Sequence, residues 1–530
     1  MSTQKTVAKA AGLMMAAIFL SRVLGLIREM VIGHQFGMSN AVGAYVAAFR
    51  LPDFLYFFLS SGALSSAFIP VFAQYLADKK EKDAWQIFSA IACFMGICLS
   101  AAVILAEIFT RPLVIALAAP GFSPEWLDKT VSLTRIVLPA QLLFFLGGLM
   151  MGTLEARQRF TARALGPVIY NIGIIFGGVV LARWLHIAGL CWGALIGAFA
   201  GNIVMTYFSL RKAGYSFIPN LNLRHPGVVQ VGKLALPVML GLSLPQIDVM
   251  INGWFASFIG EQAVAALNYG NRLMQLPLGV FAQAGAVAFF PTLIAHANKK
   301  EMPEFRASLN LAMRGILFLT IPASVFIIVL ATPIVRTVYQ SGKFTADDAP
   351  IASAALLFYS AGIFAWAGQA VISRGFYALQ ETRVVVITGS IVTAIFIPMN
   401  YFLMKAMGIS GLALSTSIAA TLHMFALMIL LRKRTEGLGT KRLAISVGKV
   451  CLASAVLGAV CWFAKSSIAG YADITTKSGA MKVVGVAFVP SIVVYLAVTW
   501  LLRSEEIGFF KTMLRSRLKR KEDAMELSEL

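Results

Sequence analysis

The sequence predicts an all-α polytopic membrane protein. About fourteen transmembrane helices are expected: twelve in two six-helix lobes related by a parallel internal repeat, plus two extra C-terminal helices. Three observations predict this class. Of 530 residues, 58% are hydrophobic and only 13% charged, with mean hydropathy +0.79, whereas soluble domains carry about 25% charged residues. Apolar runs of about 20 residues, the length that spans a bilayer, recur from end to end. Short motifs of the first half return in the second at a nearly constant offset.

Taken in order, the helices are expected near 11–33, 41–76, 85–109, 131–153, 162–184, 187–210, 232–258, 262–296, 307–331, 350–375, 384–406, 408–432, 443–467 and 480–502. The second and eighth are too long for simple spans. Each contains prolines (Pro52 and Pro70; Pro277 and Pro291), which bend a helix or mark its extension beyond the bilayer. Arg22, Arg28 and Glu29 interrupt the first run. A cleaved signal peptide has an uncharged core, so this segment reads as a retained first span.

The net charge of +21 would suggest nucleic acid in a soluble protein. Here Lys and Arg concentrate in the even-numbered connections: Lys79, Lys80 and Lys82; Arg157, Arg159 and Arg163; Arg211, Lys212 and Arg224; Lys299, Lys300 and Arg306; Arg374 and Arg383; Arg432, Lys433, Arg434, Lys441 and Arg442. That is the positive-inside pattern. It predicts a multi-pass protein with both termini cytoplasmic and no nucleic-acid partner. The basic tail, with Lys511, Arg515, Arg517, Lys519, Arg520 and Lys521, reads as a topology signal or an anionic-lipid contact.

The repeat is specific. AFIP at 67–70 returns as AFFP at 288–291, 221 residues on, and each leads into a lysine pair. Pro112 and Pro333 share that offset. Ala156 and Gln158 match Ala378 and Gln380, Gly189 matches Gly411, and Arg50 falls opposite Arg272, all at 222. A repeat of an even number of helices keeps one orientation and predicts a pseudo-two-fold axis along the membrane normal, as in transporters that rock about a central cavity. The expected organisation is an N-lobe at 1–217, a cytoplasmic linker at 218–233, a C-lobe at 234–438, helices thirteen and fourteen at 439–505, and a basic tail at 506–530.

Enzymatic chemistry finds no motif. The five cysteines lie in apolar runs without a CxxC pair, the five histidines are scattered without HExxH, and there is no Walker A loop, GxSxG elbow or Rossmann fingerprint. No cofactor is expected. Gly193, Gly197 and Gly201 form a GxxxG ladder that close helix packing accounts for.

Charges inside the apolar runs cost about 2.5–3.5 kcal/mol each at the bilayer centre, so they face a wet cavity or a partner. Arginine dominates this set: Arg22 and Arg28 in the first helix, Arg50 in the second and Arg272 in the eighth. Guanidinium stays charged and forks onto phosphate oxygens, so these four are candidate ligands of an anionic, phosphate-bearing substrate. Glu29, Asp53, Asn271 and Gln275 are candidate supports, although Arg28–Glu29 and Arg50–Asp53 also read as local pairs. Arg135 and Arg314 are expected to snorkel to the surface. Asp248, the lone acid of the seventh helix, either binds a coupling cation or neutralises an arginine.

SRVLGLIRE (21–29), FRLPDFLYFFLSSGALSSAFIPVFAQYL (49–76), NRLMQLPLGVFAQAGAVAFFPTL (271–293), QSGKFT (340–345) and GFYALQETR (375–383) resemble the MurJ/MviN family of bacterial lipid II flippases. That family belongs to the multidrug/oligosaccharidyl-lipid/polysaccharide exporter superfamily. The resemblance implies a peptidoglycan-biosynthesis transporter, not an enzyme, that moves lipid II from the inner to the outer leaflet of the cytoplasmic membrane by alternating access. It implies that Arg22, Arg28 and Arg272 hold the pyrophosphate, that Arg50 takes a position also basic in relatives, and that helices thirteen and fourteen form a groove for the lipid tail. It also implies a possible sodium site that Asp248 would match. Some relatives carry an arginine where Tyr56 stands, and acids at the positions of Gly43, Ser61, Asn271 and Gln275.

The alternatives are a flippase for another polyprenyl-pyrophosphate-linked glycan, a cation-coupled drug exporter, and a non-transporting scaffold. Only the family motifs separate the first from lipid II. Sodium coupling, proton coupling and membrane potential all remain open as driving forces. The expected partners are lipid II and membrane lipids, with the protein working as a monomer near other cell-wall synthesis proteins.

Overall fold

The computed structural model describes residues 2–59 and 67–508. Ser61, the GALSS part of the second-helix motif and the tail from 509 lie outside these residues. Every regular element among the described residues is helical, apart from an isolated bridge between Ser341 and Phe344.

The chain divides into two compact units. Unit 1 holds residues 1–268 together with 341–345, and unit 2 holds 269–340 and 346–530. In unit 1 the elements are α1 (Ser2–Phe36), α2 (Asn40–Ala48), α3 (Arg50–Leu59), α4 (Ile69–Ala77), α5 (Glu81–Ile108), α6 (Thr110–Leu117), α7 (Pro124–Val137), α8 (Ala140–Ala156), α9 (Thr161–Phe176), α10 (Ala182–Leu185), α11 (Ala188–Ala198), α12 (Met205–Arg211) and α13 (Pro226–Ser257). Then α14 (Glu261–Pro277) carries the chain into unit 2, followed by α15 (Gln283–Asn298), α16 (Met302–Val329), α17 (Ala331–Tyr339), α18 (Asp348–Ser360), α19 (Ile363–Ala378), α20 (Thr382–Met407), α21 (Ile409–Arg434), α22 (Thr440–Ala469) and α23 (Lys477–Leu501). Short π turns at Gly177–Leu181, Phe199–Val204 and Leu278–Ala282 bridge consecutive helices.

Among the described residues ten helical stretches are long and apolar enough to cross a membrane. The other four expected spans (11–33, 41–76, 232–258 and 262–296) are helical where described, and parts of each lie outside the fully described residues. The second is interrupted at Phe49, because Pro52 has no N–H for the carbonyl of Ala48 and opens a new first turn in α3, where that donor is not needed. The eighth passes through a π turn directly after Pro277.

The backbone repeats as the sequence does. Spans Glu81–Ile108 and Met302–Val329 coincide at an offset of 221, as do the starts of Ala188–Arg211 and Ile409–Arg434. The joints repeat as well. Lys79 and Lys300 both have positive φ (58° and 59°), as do Gln158 and Gln380 (59° and 61°). In each case the next N–H reaches back five residues to close the helix end: Lys80 to the carbonyl of Tyr75 at 2.9 Å and Glu301 to His296 at 3.0 Å, Arg159 to Leu154 at 2.8 Å and Glu381 to Phe376 at 2.9 Å. The buried clusters reuse matching positions. Phe72, Phe88, Leu154 and Leu210 in unit 1 have Leu293, Leu309, Phe376 and Leu431 as counterparts in unit 2.

Packing and repeat place the internal boundary differently. The expected linker 218–233 is extended only to His225, and α13 begins at Pro226. That helix packs on α3 within unit 1. At its far end Trp254 Nε1 donates to the carbonyl of Ala116 at 3.1 Å, and Ser257 Oγ accepts from the N–H of Gly121 at 3.1 Å. Glu261 Oε1 accepts from both the N–H and the hydroxyl of Ser123, at 3.0 and 2.8 Å. These bonds tie the start of the second repeat into unit 1.

The glycine ladder works as expected. Gly173 and Gly177 lie backbone to backbone against Gly189, Gly193 and Gly197, where any Cβ would overlap the facing chain.

Candidate functional site

In unit 1 the site is built on α1. Arg28 and Glu29 are neighbours in the last third of a 35-residue helix, with side chains only 15% and 5% exposed. One arm of the Arg28 guanidinium donates to Glu29 Oε1 at 2.6 Å and the other to Asn171 Oδ1 at 3.1 Å, while Nε is buried without a partner among the described residues. Asn171 is itself fixed. Its Nδ2 donates to the carbonyl of Pro167 at 2.9 Å and lies 3.3 Å from the carbonyl and the hydroxyl of Ser21. Asn268 Nδ2 approaches the other Glu29 oxygen at 3.5 Å. A helix from each side of this charge pair thus pins its geometry. Arg22, nearly two turns earlier on α1, is exposed.

Arg50 is placed differently. It is buried, and NH1 donates to the carbonyl of Ala118 at 2.5 Å, at the C-terminal end of α6. The backbone of Gly253 lies against the guanidinium. In this conformation its charge answers the exposed carbonyls of a helix end, where a cation is favoured. Asp53 and Asp248 are half-buried on α3 and α13.

In unit 2, Arg272 and Gln275 are exposed on α14, whereas Leu273 and Met274 are buried. Gln275 Nε2 donates to Asn271 Oδ1 at 2.5 Å. The preceding Tyr269 is clamped against Tyr339, ring centroids 4.8 Å apart, so Arg272 projects from an anchored segment.

Two of the departures from relatives have a structural counterpart. A Cβ at Gly43 would overlap the backbone of Glu261, so an acid has no room there. Tyr56 joins an aromatic ladder, 5.8 Å from Phe144, which lies 5.3 Å from Tyr170. The QSGKFT motif has a docking role. Ser341–Thr345 belongs to unit 1, where the Lys343 N–H donates to the carbonyl of His34 at 2.9 Å. Gly342 has φ +58° and sits where any side chain would meet His34, which accounts for glycine there.

Arg135 is exposed, 4.0 Å from Glu107, as expected of a surface arginine. Arg314 does not snorkel. It is 6% exposed, and NH1 lies 2.8 Å from Glu505 Oε2 and 3.4 Å from Glu506 Oε1. Glu506 is 2% exposed and also accepts from Ser446 and Ser504, at 2.8 and 2.6 Å. The expectation failed because both carboxylates lie some 190 residues away and become neighbours only through the packing of α16, α22 and α23. Among the described residues no group of three His, Cys, Asp or Glu side chains is arranged to hold a metal ion.

These features define a class: a helical membrane transporter built on a duplicated six-helix unit. The "Inward-facing conformation of a multidrug resistance MATE family transporter of the MOP superfamily" shares the fold at a TM-score of 0.65 and 16% identity, covering 79% of this chain and 96% of that one. A solved "Lipid II flippase MurJ, inward closed conformation" superposes with a TM-score of 0.79 at 26% identity, over 93% of this chain and 99% of that one. The "Probable lipid II flippase MurJ" of Buchnera aphidicola subsp. Acyrthosiphon pisum is 30% identical over 412 residues, 77% of this chain and 80% of that protein. The "Lipid II flippase MurJ" of Burkholderia cenocepacia is 29% identical over 422 residues, 78% and 82% of the two chains. The family model described as "Lipid II flippase MurJ" matches residues 32–478. The chain belongs to the lipid II flippase MurJ family.

Proposed function

We propose that this protein flips lipid II from the inner to the outer leaflet of the bacterial cytoplasmic membrane by alternating access, as a monomer with both termini inside. Arg22, Arg28, Arg50 and Arg272 neutralise the pyrophosphate. The observation that carries this reading is the Arg28 fork: a largely buried guanidinium held by Asn171 and Glu29, with Nε without a partner among the described residues. A phosphate oxygen that displaces Glu29 meets a donor pair already oriented, and binding then costs little reordering. Glu29 keeps the arginine neutralised while the site is empty. Outward movement of an anion is favoured by an inside-negative potential, worth about 2.3 kcal/mol per charge at 100 mV. Coupling to a cation at Asp248 is the second contribution considered.

The test is a leaflet-resolved lipid II assay in cells depleted of the native protein. Arg28→Ala and Arg272→Ala, each checked for normal insertion, are expected to abolish the appearance of outer-leaflet lipid II. Normal flipping by either variant would overturn the pyrophosphate assignment.

A further inference from the structure

A second cationic feature lies in unit 2, apart from the residues assigned above. The turn between α19 and α20, with the last residue of α21, forms an open surface cavity of about 590 Å³ lined by Gln380, Glu381, Thr382, Arg383, Val384 and Arg434. Its carboxylate, Glu381, meets Arg434 through Nε at 3.3 Å. Arg383 forms no ion pair among the described residues. Two guanidinium groups and one carboxylate leave the lining with a net positive charge.

The protein around the cavity is unusually bare. Of the ten apolar spans, α20 is the least covered, with only 17% of its apolar window buried. From Arg383 an exposed apolar stripe runs along α20 at four-residue spacing: Ile387, Ile391 and Ile395 are 59%, 56% and 47% exposed. Residues four apart share a helix face. One face of α20 therefore carries a guanidinium at its end and branched aliphatic side chains along its length. On α21, Leu430 stands exposed one turn before Arg434. A cationic cavity at the head of an uncovered apolar stripe matches one kind of molecule, an amphiphile with a phosphate head and acyl chains. Basic pockets between transmembrane helices recognise anionic head groups by this charge complementarity.

We infer that this cavity is a phosphate site for an anionic phospholipid of the adjoining leaflet, with an acyl chain lying along Ile387, Ile391 and Ile395. Arg383 and Arg434 hold the phosphate, and Glu381 sets the affinity by neutralising part of the charge. Phosphatidylglycerol therefore binds more tightly than phosphatidylcholine, whose head group is neutral overall.

Native mass spectrometry of the full chain, titrated in detergent with phosphatidylglycerol or phosphatidylcholine of equal chain length, tests this. Arg383→Gln and Arg434→Gln are each expected to weaken phosphatidylglycerol binding about fivefold, at roughly the value of one basic residue near an anionic surface, and to leave phosphatidylcholine binding unchanged. Glu381→Gln is expected to strengthen phosphatidylglycerol binding. Unaltered phosphatidylglycerol binding by a folded Arg383→Gln/Arg434→Gln variant would overturn the site. If that variant does not fold, the absence of any gain in Glu381→Gln would do the same. A third arm separates lipid from free phosphate: Ile391→Ser is expected to weaken lipid binding, and inorganic phosphate at equal concentration is expected to compete poorly. Full competition by phosphate, with lipid binding untouched by Ile391→Ser, would reassign the cavity to free phosphate and overturn the lipid assignment.

Discussion

Replacing Arg314 tests how unit 2 holds its last helices. The guanidinium is 6% exposed and meets two carboxylates of unequal character: Glu506, 2% exposed at 3.4 Å, and Glu505, 54% exposed at 2.8 Å. Arg314→Met keeps much of the volume but leaves Glu506 buried with only Ser446 and Ser504. Removing one member of a buried pair costs about 3–5 kcal/mol, most of it the penalty of the stranded charge. The Glu505 arm is half in water and shares its oxygen with Arg442, so Glu505→Gln is expected to cost less than about 1 kcal/mol. In the double variant Arg314→Met/Glu506→Gln the stranded charge disappears, and its cost falls well below the sum of the single costs. Reversible unfolding of the purified protein in mixed micelles, run as a double-mutant cycle, reads these differences. Additive single costs, or a Glu505→Gln cost equal to that of Arg314→Met, would refute the reasoning.

Further outcomes are expected. Gly43→Asp, restoring the acid of some relatives, should lower the folded yield sharply, because its Cβ meets the Glu261 backbone; Gly43→Ala should lower it too, whereas Gly96→Ala, with open space around it, should not. Gly342→Ala should destabilise unit 1 through both its positive φ and its contact with His34, read as faster proteolysis near residue 342 in detergent. Asn171→Ala should weaken flipping less than Arg28→Ala, because Glu29 still orients the guanidinium; an equal loss in the lipid II assay would show that Asn171 does more than position it. Hydrogen bonds from Arg314 and Arg442 hold the Glu505 carboxyl below its ordinary value. A folded-state pKa below the unfolded one gives stability that is present above the ordinary glutamate value and lost as the pH falls through the lower folded-state value. Glu505→Gln should therefore flatten the acid limb of a stability profile, and an unchanged limb would contradict this.

Periodic, local features were legible in the sequence. Ten of the fourteen expected spans correspond to long apolar helices among the described residues, and the 221–222 offset located joints whose backbone geometry repeats. Contacts between distant positions were not. Nothing near Arg314 announces Glu505 or Glu506. Asn171 carried a weak signal, as a polar residue four positions after a proline in an apolar helix, where the carbonyl of Pro167 stands ready to accept. Arg50 has the composition of a ligand-binding arginine, yet sequence spacing cannot reveal that the end of α6 supplies it with a carbonyl. The packing boundary at Asn268 was hidden for a related reason: homology marks where a duplication begins, whereas hydrogen bonds such as Trp254 to Ala116 decide what packs with what.

The docking of Ser341–Thr345 in unit 1 has a consequence for the order in which the protein is made. A chain leaving the ribosome presents all of residues 1–268 well before the five that complete this unit. Until position 345 emerges, the His34 carbonyl lacks the Lys343 N–H, and the end of α1 is left uncovered. The N-terminal unit therefore matures only after α16 and α17 have been synthesised. A gene split at the linker near 218–225 would divide unit 1 between two fragments, while the second fragment would still carry all of unit 2.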